Sequence, residues 1–337
     1  MHRPADATTF RALWVEENPD GGFTRRLALR RIADLPPGEV LVAVHYSSLN
    51  YKDLLSAEGN RGVTRQYPHT PGIDAAGIVV HSSDAGVKAG DPVIVTSHDL
   101  GMNTPGGFGQ FIRVPASWIV PLPPGLSLRE SMAYGTAGLT AALSVGALLD
   151  NGVTPDRGEI LVSGATGGLG SLAVAILSRI GFRVAAVGGR GDGAAFLKAI
   201  GAHRVVSLTE AAAGEDRALL QARWAGGVDA VGGAVLAATL KSMQPYGVVT
   251  CCGNAASADL PINVYPFILR GVRLIGIDSQ NCPMPLRRGA WEKLGGPWKL
   301  DRLDMLAREI SLDDLPAQME KMRAGGRRGR ILVRLKD

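Results

Sequence analysis

Between Phe10 and Leu128 the apolar residues fall into short runs: VLVAVHY over 40–46, AAGIVV over 75–80, DPVIVT over 91–96 and QFIRV over 110–114. Gly, Pro and Asp separate them, which predicts β-strands joined by turns and a first region that is mostly β. The Pro-rich segment from Pro121 to Leu128 then gives way to Tyr134–Leu149, whose small and apolar residues suit a closely packed helix and mark a junction. Beyond it the pattern changes. EILVS over 159–163 is followed by Leu169, Leu172, Ala173, Ile176, Leu177 and Ile180, the spacing of one buried helical face. Further strand-like runs come at 183–187, 203–208, 228–231, 247–252 and 273–277, with helix-compatible segments between most of them. Six strands in such an alternation predict an α/β fold of the Rossmann type, a doubly wound parallel sheet.

After Ser279 the alternation stops, and the last apolar run, ILVRL over 331–335, must pair elsewhere. The economical division is 1–133 with 280–337 as a β-rich domain and 134–279 as a nucleotide-binding domain. The length of 337 residues agrees with about two domains. Composition narrows the class. Apolar residues make up 46% and charged residues 20%, which excludes a globally disordered chain. Lys plus Arg exceed Asp plus Glu by 36 to 31, with both signs interspersed, so anionic small molecules are mildly favoured and nucleic acid hardly at all. Three cysteines, two of them adjacent at 251 and 252, supply neither a disulfide framework nor a C-x-x-C knuckle. The start lacks a hydrophobic signal core, and the longest nearly apolar stretch, Leu139–Leu149, is too short for a bilayer. A cytoplasmic protein without membrane attachment is expected.

Glycine is the outlier, 44 residues against a background of roughly 7%. The run EILVS leads directly into GATGGLG, Gly164–Gly170, and then into the amphipathic helix. Ala165, Gly167 and Gly170 occupy the three positions of the dinucleotide turn G-x-G-x-x-G, with Thr166, Gly168 and Leu169 between them. Gly167 would let a pyrophosphate approach, Gly170 would let helix and strand pack closely, and the helix N-terminal amides would hold the phosphates. The second strand of the unit ends in Gly188, Gly189 and Arg190, and no acid follows until Asp192. A guanidinium at that point suits a 2′-phosphate where a carboxylate would repel it, so NADPH is expected over NADH, with Lys198 as a weaker second contact.

Short-chain reductases carry a Tyr-x-x-x-Lys motif after this turn; here the only later tyrosines, Tyr246 and Tyr265, are followed four positions on by Thr250 and Leu269. A β-rich domain ahead of the dinucleotide fold, with a C-terminal return, resembles instead the medium-chain dehydrogenase/reductase superfamily, whose first domain is GroES-like and catalytic. The zinc enzymes of that superfamily place Cys, His and Glu where SSLNYKD has Asn50 and PGIDAAG has Ile73 and Asp74, so no metal is expected. SSLNYKD (47–53), PGIDAAG (71–77), GTAGLTA (135–141), GATGGLGS (164–171), FLKAIGA (196–202) and PFILRGVRLIGIDS (266–279) resemble the zinc-free quinone oxidoreductase branch and, within it, the NADPH-dependent acryloyl-CoA reductases. Gly109, Gln110, Leu208 and Asn254 depart from the residues usual in that branch.

The resemblance implies hydride transfer to a double bond conjugated with a carbonyl, since no Lewis acid would polarise an isolated ketone. Acryloyl-CoA is the first substrate, small quinones or enones the alternative. By position Asn50 and Tyr51 face nicotinamide and substrate, Tyr51 as hydrogen-bond or proton donor with water as competitor, and Asp53 orients. Thr136, Asn254, Ile268 and Ser279 match positions that line the nicotinamide, and Arg287, Arg288 or the tail over 323–330 could meet CoA phosphates. A homodimer pairing through RLIGI is implied as well. A rival of another class, a non-catalytic NADPH- and RNA-binding protein, has against it the scatter of the basic residues and their lack of aromatic interleaving.

Overall fold

In the computed structural model, which describes residues 8–189, 191–214, 216–325 and 328–336, the chain divides into two compact units. One comprises the chain up to Thr136 together with the segment from Ala307 onward; the other is Ala137–Leu306.

The β-rich unit is built on a sheet whose spine is Val40–Ser48. One edge of this strand pairs antiparallel with Asp74–Ser82, which pairs in turn with Pro92–Thr96. Its other edge is shared: Phe111–Val114 takes the first half and Arg330–Arg334, the expected C-terminal return, takes the second through Leu332↔Ser48, Val333↔Ser47 and Arg334↔Tyr46. Ala307–Ser311 closes that side in parallel with Arg330–Arg334. Val40, Val42, Val44, Val79, Ile112 and Val333 form part of a common buried core. A hairpin of Thr9–Glu17 and Phe23–Arg31 adds two strands that the run pattern does not reveal, because TRRLALRR carries four arginines and its positions are at best half-buried.

The second unit holds a six-stranded, all-parallel sheet in the order Arg204–Val206, Val184–Val187, Glu159–Val162, Trp224–Asp229, Met243–Cys251, Arg273–Gly276. Counted along the unit this is 3-2-1-4-5-6, the dinucleotide-binding order expected from the alternation. The fourth strand starts earlier than its apolar run suggests, since WAGG at 224–227 reads as a turn yet is fully buried in the sheet.

Two boundaries differ from the reading above. The segment 280–306 belongs with the second unit: Trp291 and Leu294 of the helix Met284–Gly295 are buried, Leu303–Leu306 packs on the helix Gly168–Arg179, and Arg179 pairs with Asp301 at 3.2 Å. The helix expected at 134–149 runs over Leu128–Asp150, with a non-helical residue, Gly135, inside it. At 23 residues it is long and apolar enough to cross a membrane, but 72% of its most apolar window is buried within the protein, as in a core helix.

Because Leu332 is fully buried in the strand that carries the C-terminus back into the first sheet, Leu332→Ala should destabilise this unit by about 2–5 kcal/mol. Urea unfolding followed by circular dichroism measures it, and an unshifted midpoint would mean that the returning strand adds nothing to the core.

Candidate active site

In the second unit the strand Glu159–Val162 ends in Ser163, and the chain turns through Gly164 at φ +59° into the helix Gly168–Arg179. A side chain at Gly170 would run into the Gly164 carbonyl and come within 2.7 Å of Ala165 Cα, so the closeness of turn and helix demands glycine there. Ala165 is buried; Thr166, Gly167, Gly168 and Leu169 are half-buried around the turn. No side chain caps the helix, so its first-turn amides are left for an anion. Gly188 and Gly189 follow the second strand at φ +153° and +98°; a Cβ on Gly188 would stand 3.3 Å from Thr166 Cγ2, which places the second-strand end beside the turn. Arg190 lies outside the described residues. Lys198 Nζ donates to the His203 carbonyl at 2.7 Å, a backbone partner in its own unit.

Sequence reasoning missed the carboxylate that ties the turns together. Asp229, 1% exposed at the end of the fourth strand, accepts from Ser163 Oγ at 2.6 Å and from the Val231 and Gly232 amides. Burial raises its pKa, opposed by these three bonds. The only sequence signal is an acid at a strand end just ahead of Gly232–Gly233. Further along, Ser279 Oγ accepts from Thr140 Oγ1 at 2.7 Å, while Asn254 and Ile268 are exposed. Cys252 is no nucleophile at neutral pH, its thiol being pushed up to about 12 by burial.

The first unit contains a buried polar cluster centred on Asp74. Its carboxylate accepts from Ser48 Oγ at 2.5 Å, Asn50 Nδ2 at 2.8 Å, Thr136 Oγ1 at 2.6 Å and the Thr136 amide at 2.9 and 3.0 Å. Arg330 Nη2 lies 3.5 Å from Asp74 Oδ2, the two side chains being 3% and 0% exposed. The same guanidinium donates to Ser48 Oγ at 2.7 Å, Asn50 Oδ1 at 2.9 Å and the Ala133 carbonyl at 3.3 Å. Burial pushes its pKa down from the ordinary value and the carboxylates of Asp74 and Asp53 push it back; an arginine stays charged throughout. Gly135 at φ +53° is compelled by this crowding, since a Cβ would run into Asp74 Oδ2 and stand 2.5 Å from Ser48 Oγ and 2.6 Å from Arg330 Nη2.

Asn50 sits at the N-cap of the helix Tyr51–Ala57. Its amide donates to Asp74 and, at 3.2 Å, to the Ser48 carbonyl, so both N–H bonds are spent inside the protein. Asp53, fully buried one turn on, accepts from the Asn50 amide at 2.7 Å and the Ile73 amide at 2.8 Å. Its carboxyl is pushed up to about 7, chiefly by loss of water and further by the charge of Asp74, against the pull of these bonds. Tyr51 is 60% exposed at the first turn of the helix. Thr136 Oγ1 also lies 2.9 Å from Ser97 Oγ. Thus Asn50, Asp53 and Thr136 converge around Asp74, and the ring of Tyr51 is directed outward. Two arginines suggested for CoA phosphates are otherwise engaged: Arg330 in this cluster, and Arg287, fully buried, on the Ser279 and Gln280 carbonyls at 3.0 Å.

A zinc ion does not suit this donor set. Ile73 brings no donor, Asn50 is already bonded on both sides, and the carboxylate of Asp74 faces a buried guanidinium that would repel a second cation. Among the described residues no three His, Cys, Asp or Glu side chains cluster as a metal site.

Residues 36–124 match the alcohol dehydrogenase GroES-like domain family and residues 168–294 the zinc-binding dehydrogenase family. The chain is 46% identical over 325 residues to the acrylyl-CoA reductase AcuI of Ruegeria pomeroyi, covering 96% of this chain and 98% of that one. Among solved structures, the yhdH oxidoreductase of Salmonella enterica in complex with NADP superposes with a TM-score of 0.93 at 43% identity, covering 97% of this chain and all of that one. The Bacillus subtilis protein yhfP with NAD bound gives 0.95 at 43% identity, covering 98% of this chain and all of that one.

The raised carboxyl of Asp53 has a thermodynamic consequence. The folded protein holds a proton there that the unfolded chain, with its ordinary value of 3.8, releases; the stability this gives is fully present below about pH 4 and is lost as pH rises through about 7. The unfolding free energy of the natural protein relative to Asp53→Asn should therefore fall by a few kcal/mol between about pH 4 and pH 7.5, at about 1.4 kcal/mol per pH unit at most. Denaturation at a series of pH values measures the difference, and parallel curves would remove the proton from Asp53.

Proposed function

The chain belongs to the zinc-free quinone oxidoreductase branch of the medium-chain dehydrogenase/reductase superfamily, and from that premise we propose that it uses NADPH to reduce a carbon–carbon double bond conjugated with a carbonyl, acryloyl-CoA to propionyl-CoA. The observation that supports the reading is that Asn50 and Asp74, which by the resemblance stand where the zinc enzymes place ligands, are spent on a buried cluster with Arg330, because a chain so built must take an acceptor already activated by its own conjugation. NADPH, when bound, supplies the hydride for the β-carbon. The turn Gly164–Gly170 and the first amides of the following helix hold the pyrophosphate, Gly188 and Gly189 make room at the adenosine, and Arg190 meets the 2′-phosphate. Thr136, Asn254, Ile268 and Ser279 line the nicotinamide and its ribose.

As hydride arrives, charge moves to the thioester oxygen, and a placed donor lowers the barrier by meeting it there. Tyr51 is the residue we assign to this role: it stands on the rigid start of a helix, and its side chain is exposed. Its hydroxyl donates to the enolate oxygen, and Tyr51 or water returns a proton to the α-carbon. Asn50 and Asp53 are positioning residues, since every polar bond described for them ends inside the protein. We take the protein to work in the cytoplasm as a homodimer, the outer edge of Arg273–Gly276 being the pairing strand, on small molecules rather than nucleic acid or membranes. Quinones remain a comparison substrate and NADH a comparison cofactor, the latter because yhfP was solved with NAD bound.

The test follows NADPH absorbance with acryloyl-CoA, beside a small quinone and beside NADH. Turnover should be fastest with the thioester and NADPH; a quinone far ahead of the thioester would overturn the substrate, and equal rates with NADH would overturn the role of Arg190. Tyr51→Phe should lower kcat by about 10- to 100-fold without weakening NADPH binding. Unchanged turnover would take Tyr51 out of the chemistry.

A further inference from the structure

In the second unit the helix Met284–Gly295 carries Arg287 in its first turn, and that side chain is fully buried. A guanidinium cannot shed its charge, so taking it out of water is costly unless its N–H groups are accepted. The acceptors here are main-chain oxygens: Nη2 donates to the Ser279 and Gln280 carbonyls, each at 3.0 Å. The same turn is held through its amides as well. Asp278 Oδ1 accepts from the Gln280 and Asn281 amides at 3.0 Å each, and its Oδ2 accepts from Asn281 Nδ2 at 2.8 Å. Just ahead of it the Ile277 amide donates to the Cys251 carbonyl at 2.9 Å, which carries the pairing of Arg273–Gly276 with Met243–Cys251 up to the turn. An aspartate closing its own turn is an ordinary device and needs no buried cation beside it. The added guanidinium fixes two carbonyl directions, and with them the place of Ser279.

Ser279 is half-buried, and its hydroxyl is only half used. Its Oγ accepts from Thr140 Oγ1, on the buried side of the helix Leu128–Asp150, at 2.7 Å, and among the described residues no acceptor takes its proton. The hydroxyl is therefore oriented as a donor. All six strands of this sheet are parallel, so the turn after Arg273–Gly276 stands at the same carboxyl edge as the turn Gly164–Gly170 after Glu159–Val162. That is the edge where a doubly wound sheet takes its ligand. A donor fixed there by its backbone is of the kind that sets a ligand's orientation.

We propose that Arg287 is a positioning residue for the nicotinamide end of NADPH: by holding the Ser279 and Gln280 carbonyls it aims the Ser279 hydroxyl at an acceptor oxygen of that end. The proposal deepens the assignment of Ser279 to the nicotinamide and rests on it. Arg287→Lys keeps the charge and gives up the planar fork. Binding is followed with two probes, NADPH by the fluorescence of its nicotinamide and 2′,5′-ADP, which has the 2′-phosphate and no nicotinamide, by calorimetry. Arg287→Lys should weaken NADPH about five- to tenfold, the worth of one placed hydrogen bond, and leave 2′,5′-ADP unchanged. Parallel weakening of both ligands would reduce Arg287 to a structural role, and unchanged NADPH binding would leave it none at this site; either result overturns the proposal. A readout on the natural protein serves even where the variant does not fold. Hydrogen exchange of the amides over 279–282 should slow with NADPH and not with 2′,5′-ADP, and equal slowing by both, or by neither, would overturn the proposal as well. No thioester enters these measurements, so absence of acryloyl-CoA turnover would sink the reductase reading and leave the role of Arg287 standing.

Discussion

The β-rich unit is organised around one buried ion pair, Asp74 with Arg330, whose side chains are 0% and 3% exposed. Taking both charges out of water is expensive, and the cost is offset only if every remaining lone pair and N–H finds a partner. That condition is met: Ser48, Asn50 and Thr136 satisfy the carboxylate, while Ser48, Asn50 and the Ala133 carbonyl take the guanidinium. The partners come from two separated stretches of chain, 48–50 and 133–136, and the pair sets their register. Losing either member would strand the other, a penalty of about 3–5 kcal/mol, far above that of an exposed ion pair such as Arg26–Glu16.

The pair also explains backbone features that would otherwise look incidental. Gly135 breaks a helix that its neighbours favour because a side chain would occupy space held by Asp74, Ser48 and Arg330. The residue after it, Thr136, then turns both its amide and its hydroxyl to Asp74. Asp53 is one step removed, and the field of Asp74 adds to burial in keeping its proton on up to about pH 7. With that proton in place the three ionisable groups of the cluster sum to no net charge, the arrangement a low-dielectric interior favours.

What the sequence shows and hides follows from the same physics. The parallel sheet was legible because its strands carry short apolar runs and the turn's glycines have a local backbone reason at Gly164, with φ +59°, and at Gly170, against the Gly164 carbonyl. Asn50, Asp53 and Thr136 were nameable from motifs, but not the cation that balances the Asp74 carboxylate at their centre, because Arg330 stands in the basic string RAGGRRGR and reads as surface charge. Only the pairing of Leu332, Val333 and Arg334 with Ser48, Ser47 and Tyr46 carries it inside. Arg287 was misread in the same way, buried by a helix whose apolar residues are too sparse to announce a core. The Arg-rich strand of the hairpin was invisible for the opposite reason, its stability coming from Thr9–Glu17 opposite rather than from its own burial.

A cluster so completely satisfied has little left to give to a reaction. Each polar contact that Asn50, Asp53, Ser48 and Asp74 spend on one another holds geometry. These buried groups fix the start of the helix Tyr51–Ala57, and on the reading proposed above its exposed first residue is the one assigned to meet the substrate. A catalytic metal would have merged the two tasks, with its ligands held by the protein and the ion polarising the substrate. Here a guanidinium balances the charge but, enclosed by Ser48, Asn50 and Asp74, cannot reach out, so activation has to reside in the substrate's own conjugation, and the protein contributes placement.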